Sequence, residues 1–137
     1  MRKKVTQTVA KKQKPSTGRK AAYQRGQAAE QSALDHLRRQ GLALLERNYR
    51  THTGEIDLIL QATSLIVFVE VRYRSRIDYG NAAESITATK QQRLRNAAAQ
   101  YLQANPGLQQ HPCRFDAILV SGMEPDFKIE WLQDAFQ

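Results

Sequence analysis

Glu70 stands inside the most apolar run of the chain, Val67-Phe68-Val69-Glu70-Val71-Arg72. An ionised carboxylate is costly to bury in such a run unless a cation or a metal ion offsets it. Side chains alternate along an extended strand, so Glu70, Arg72 and Arg74 share a face. A second acidic stretch lies upstream, where Glu55, Asp57 and Ile59 alternate strictly with Ile56, Leu58 and Leu60. A hairpin turning at residues 62–63 pairs Leu60 with Leu65, sets Asp57 opposite Phe68 and sets Glu55 opposite Glu70. Glu55, Asp57, Glu70 and Arg72 then converge on one side of the sheet, with Asp57 diagonal to Glu70 at roughly 7–8 Å.

Carboxylates at that spacing suit a hard divalent cation, Mg2+ or Mn2+, which takes oxygen ligands and keeps several waters. Asp57, Glu70 and Glu55 are the candidate ligands. Such a centre polarises a phosphate and acidifies a bound water, and a nearby cation steadies the charge of the transition state. The chemistry expected of it is phosphodiester hydrolysis. Two further residues point the same way. Glu30 precedes Ala33, Leu34 and Leu37 by three, four and seven positions, which places a third acid on the buried face of a helix. Lys90 stands four before Leu94 and points inward at the start of a second helix. The bland reading is an ion pair between Glu70 and Arg72, two residues apart on one strand.

The elements that must position these groups follow from periodicity. A helical pattern runs from about Ala21 to Gln40 and stops at Gly41. Leu42 to Arg50 reads as a first strand and Glu55 to Leu60 as a second. Leu65 to Val71 reads as a central strand covered on both faces. Arg74 to Ile86 is a polar loop with a turn at Asp78-Tyr79-Gly80. Thr87 or Thr89 caps a second helix with Leu94, Ala97, Ala98, Tyr101 and Leu102 as its core stripe, ended by Asn105-Pro106-Gly107. Arg114 to Ser121 forms another strand, and a weaker one lies near Phe127–Trp131. The order α-β-β-β-α-β-β makes the class α/β, a central mixed sheet flanked by helices.

The 137 residues suffice for one compact domain. The net charge of +8 is unevenly spread. Residues 1–25 hold nine Lys/Arg and no acid, while the rest holds twelve bases against thirteen acids. Residues 1–20 therefore read as a flexible basic tail, and residues 21–137 as the folded domain. Lys11, Lys12, Lys14, Arg19 and Lys20 would draw phosphates without regard to base sequence. Arg74, Arg76 and Lys90 are the candidate phosphate contacts nearer the site. The one cysteine, Cys113, excludes an internal disulfide and fits a reducing cytoplasm. Three histidines without a cysteine cluster argue against structural zinc. No apolar run approaches the ~20 residues of a membrane span, and no signal-peptide pattern is present.

Gly54-Glu55-Ile56-Asp57-Leu58-Ile59, Val67 to Arg74 and Arg114-Phe115-Asp116 resemble the YraN family, as do Gly26-Gln27-Ala28-Ala29-Glu30 and Arg47-Asn48-Tyr49-Arg50. The resemblance covers about residues 22–120. It implies a restriction-endonuclease-like nuclease domain similar to archaeal Holliday-junction resolvases, with DNA, including branched DNA, as substrate and a homodimer as the acting form. The superfamily's motif is an acid, a gap, then acid-x-Lys. Its first acid falls on Asp57, its second on Glu70 and its helical acid on Glu30, while Arg72 stands where the lysine is expected. Glu30, Asp57, Glu70 and Arg72 are thus the catalytic candidates. Arginine stays protonated at physiological pH, so Arg72 suits a phosphate clamp better than a base. Two other readings stand beside the endonuclease: a non-catalytic nucleic-acid-binding module on a nuclease fold, and a protein-interaction adaptor.

Overall fold

The structure, a computed structural model, describes residues 17–74 and 86–137. Helix α1 (Thr17–Arg39) leads into strands β1 (Ala43–Thr51), β2 (Gly54–Ala62) and β3 (Leu65–Arg74). Helix α2 (Ala88–Ala104) and a 3-10 turn then lead to β4 (Cys113–Ser121) and β5 (Lys128–Phe136). The five strands lie side by side in chain order. β3 and β4 run parallel, and every other neighbouring pair is antiparallel. The crossover through α2 is what a parallel pair requires. The α/β class, the mixed sheet and the element order agree with the pattern read from the sequence.

Each face of the sheet carries one helix. Ala29, Ala33, Leu34 and Leu37 of α1 pack with Leu58, Leu60, Val67, Val69, Ile118 and Val120. On the opposite face Leu94, Ala97, Ala98 and Tyr101 of α2 pack with Ile56, Ile59, Ile66, Phe68 and Ala117. β3 lies at the centre, and its buried run from Ile66 ends on Glu70. α1 stops where Gly41 takes φ +96°, with Gly41 N bonded to Arg38 O and Leu42 N to Leu37 O. That pair of bonds is a Schellman ending, in which the left-handed residue favours glycine. Thr87 caps α2, its side chain accepting from Lys90 N at 3.1 Å.

Four expectations need correction. α1 begins at Thr17, so Arg19 and Lys20 are helical and not part of a loose tail. The first buried position is Ala29, and the exposed turns before it lack the apolar stripe that marks a helix. The β2–β3 hairpin pairs Ala62 with Leu65 and Leu58 with Val69, two positions away from the register expected. The turn is tighter than expected, with Thr63 in the left-handed region at φ +57°. Strict alternation also fails in β2, since Ile56 and Ile59 both join the α2 cluster. The last strand reaches Phe136, where Asp134 at φ +56° shifts the register and lets Phe136 stack on Phe115 at 4.9 Å. Residues 1–16 and 75–85, which carry Lys11, Lys12, Lys14, Arg76 and Tyr79, lie outside the described residues.

Gly54 sets how closely α2 approaches β2. A Cβ on Gly54 would overlap the backbone carbonyl of Arg93, one turn after Lys90. Gly54→Ala is therefore expected to push α2 outward and lower stability by about 2 kcal/mol or more. An unchanged urea midpoint would show that the helix yields without cost.

Candidate active site

The β2–β3 ladder stops at Leu58–Val69, and Asp57 and Glu70 are the next residues along the two strands. Beyond that point a side chain replaces the backbone partner: Asp57 Oδ2 accepts from Val71 N at 2.8 Å. β1 is irregular at the same level. Arg47 pairs with Leu58 and Tyr49 with Ile56, while Asn48 between them takes φ +54°. Ile56 turns toward α2 here, which accounts for the broken alternation. Asp57 is thus held where the sheet opens, beside Glu70 and not diagonal to it.

Glu70 is 3% exposed. Two cations answer its charge: Arg72 Nη1 and Lys90 Nζ each lie 3.5 Å from Glu70 Oε2. The ion pair between Glu70 and Arg72 anticipated from the sequence is therefore present, and the inward-pointing Lys90 joins it. Glu30 is buried under α1 and paired with Arg47 Nη2 at 2.9 Å, with Asn48 Nδ2 at 3.4 Å. Arg47 also donates to Gln31 Oε1 at 3.1 Å. Glu55, expected opposite Glu70, instead lies opposite Arg50 and contacts it at 3.8 Å.

Burial, and then the crowding of acids, sets the electrostatics. The Asp57 carboxyl is pushed up to about 7, first by desolvation, then by the charge of Glu70 and more weakly by that of Glu30. The Val71 amide and the charge of Lys90 pull the other way. Glu70 and Glu30 therefore both act on Asp57, although Glu30 is engaged by its own arginine. Among the described residues no group of three or more His, Cys, Asp or Glu side chains forms a metal cage. The Asp57–Glu70 pair still fits a divalent cation. Its charge would offset the burial and the acidic neighbours that raise the Asp57 carboxyl, and Mg2+ commonly uses one or two carboxylates and water.

Arg47 and Asn48 were missed as site-supporting residues. Their signal was present in the segment Arg47-Asn48-Tyr49-Arg50, but nothing in its periodicity reveals a left-handed asparagine. Arg74 ends β3, where its carbonyl accepts from Gly122 N at 3.1 Å. His52 is exposed in the β1–β2 turn, as expected of a lone loop histidine. Asp116 is structural: Arg114 Nε and Nη2, Trp131 Nε1 and Asp134 N all donate to it within 2.9 Å. No helix among the described residues is long and apolar enough to cross a membrane.

Comparison with known proteins places this site in a wider group. The model of the uncharacterised protein family UPF0102 matches residues 29–120, which include Glu30, Asp57, Glu70 and Lys90. A UPF0102 protein of Nitrosomonas europaea is 50% identical over 116 residues, covering 85% of this chain and 96% of its own. One of Nitrosococcus oceani is 45% identical over 124 residues, covering 90% of this chain and 97% of its own. One of Pseudomonas putida strain GB-1 is 46% identical over 113 residues, covering 82% and 92%.

The raised Asp57 carboxyl has a measurable consequence. Between about pH 4 and pH 7 the unfolded chain has lost this proton while the folded chain keeps it. Stability from this group is therefore greatest at acid pH, falls as pH rises, and is lowest above 7. In metal-free buffer Asp57→Asn should raise stability above pH 7 by at least ~1 kcal/mol, and the gain should vanish toward pH 4. A gain that does not vary with pH in thermal unfolding would contradict the crowding.

Proposed function

The chain belongs to the uncharacterised protein family UPF0102, and on that footing we propose that it is a divalent-metal-dependent endonuclease acting on DNA, branched or structured DNA included. The observation that carries this reading is the meeting of Asp57 and Glu70 at the point where β2 and β3 stop pairing. A purely structural sheet gains nothing by crowding two carboxylates there, because each raises the cost of ionising the other. The restriction-endonuclease-like arrangement implied by the sequence motifs has acids at these positions, on a mixed sheet with a helix on each face.

Asp57 and Glu70 would hold Mg2+ or Mn2+, which when bound supplies Lewis acidity toward the phosphate and a more acidic water. The chain's own residues do the rest. The Val71 amide fixes the rotamer of Asp57. Arg47 and Asn48 hold Glu30 beneath the pair, keeping its negative charge close to Asp57. Arg72 is protonated throughout the physiological range, so it takes no proton from water and instead grips a phosphate oxygen. In the reaction, water oxygen bonds to phosphorus and the bond from phosphorus to the departing sugar oxygen breaks. One water proton ends on that sugar oxygen and the other passes to solvent.

The basic tail serves retention on the substrate. Six cations without an acid in residues 1–16 supply attraction to phosphates that weakens with salt. The arginine at position 72 also favours a second reading, a nuclease fold that binds DNA without cutting it. Labelled duplex, flap and four-way-junction DNA incubated with the full chain and Mg2+ or Mn2+ separates the two. Cleavage is expected, reduced at least ~100-fold by Asp57→Asn or Glu70→Gln. Binding that survives both substitutions, with no cleavage by the wild type, would leave only the binding module. Deleting residues 1–16 should weaken binding and flatten its salt dependence.

A further inference from the structure

Glu70 has more positive charge around it than one buried carboxylate needs. Arg72 and Lys90 reach the same oxygen, Oε2, from different elements and at the same 3.5 Å. Neither makes the 2.7–2.9 Å contact of a tight charge-assisted bond. Three features hold Lys90 at this place. Thr87 accepts from its backbone N–H at 3.1 Å, Gln91 Nε2 ties the helix start to Ile86 O at 3.1 Å, and Gly54 lets Arg93 settle on β2. The Lys90 side chain is nonetheless 28% exposed, so it meets solvent while its ammonium reaches Glu70.

Arg72 on the same strand already answers the charge of Glu70, so a second cation brought in from α2 is more than neutralisation needs. We infer that Lys90 is the substrate-facing cation of the site, supplying from a helix the lysine that β3 lacks at position 72. Its ammonium contacts a non-bridging oxygen of the phosphate under attack, and Arg72 holds a neighbouring oxygen. An ammonium is a compact point charge on a flexible stem, whereas a guanidinium is a planar fork, so the two divide the work by shape. This assignment rests on the endonuclease reading.

The test uses the full chain as wild type, Lys90→Met and Lys90→Arg. Cleavage of four-way-junction and duplex DNA is followed in Mg2+, DNA binding is titrated with salt in Ca2+, and Mn2+ binding is measured by calorimetry without DNA. Lys90→Met should lower cleavage by about 100-fold or more. It should also reduce the salt slope of binding by about 1. Its Mn2+ affinity should equal or exceed that of the wild type, because a cation has left the neighbourhood of the two carboxylates. Lys90→Arg should recover part of the cleavage. Loss of Mn2+ binding along with cleavage would make Lys90 a mere support for Glu70 and overturn the assignment. Cleavage by Lys90→Met within about threefold of wild type would overturn it too, while the endonuclease reading stood. A wild type that neither binds nor cuts DNA overturns both.

Discussion

Two carboxylates forced together at the end of a strand ladder are the constraint around which the rest of this molecule is arranged. Asp57 ends the β2–β3 pairing by taking the Val71 amide for its own side chain. That bond orients the carboxylate, but burial and Glu70 still hold its proton on up to about pH 7. The fold answers with cations drawn from separate elements: Arg47 from β1 on Glu30, Arg72 from β3 and Lys90 from α2 on Glu70. None reaches Asp57 at ion-pair distance among the contacts described. The site is therefore balanced around its edge and under-compensated at its centre, which is the condition in which a divalent ion gains most by entering.

The scaffold shows why such a site is affordable. Each face of the sheet is sealed by one helix over a continuous apolar cluster. Asp116 illustrates the opposite solution to the same problem. It is fully buried one strand away, opposite Val69, yet four donors from three residues besides itself saturate it. A carboxylate treated in that way is structural and has no capacity left for a ligand. Asp57 has one backbone donor and two acidic neighbours, and that contrast separates the groups more sharply than burial does.

The architecture was legible because it follows apolar periodicity. The stripes Ala33-Leu34-Leu37 and Leu94-Ala97-Ala98-Tyr101 marked the helices, and the unbroken run from Ile66 marked the central strand. Glu30, Asp57, Glu70 and Lys90 were legible as well, since a charge in an apolar stripe is conspicuous. The hairpin register was not. A shift of two residues leaves every side chain on its own face, so parity cannot detect it. That shift changes Asp57 from a diagonal neighbour of Glu70 to an adjacent one, and it releases Glu55 to Arg50. The left-handed backbone at Asn48 was equally hidden, because a single asparagine in a polar stretch carries no periodic signal.

Register also bears on which cations reach the acid pair. With Asp57 adjacent to Glu70, the acid pair lies within reach of Lys90 in the first turn of α2, and one turn later Gly54 lets the Arg93 backbone approach the start of β2. A cation from that turn reaches Glu70 as readily as one from β3, as the equal 3.5 Å contacts show. Position 72 carries the planar, fixed charge of an arginine, while the helix contributes the flexible amine of a lysine. Had the hairpin followed the register first expected, Asp57 would lie one pair farther from Glu70 and deeper along the sheet. The tight turn at Thr63 is thus connected, through strand register, to how closely Asp57 and Glu70 meet.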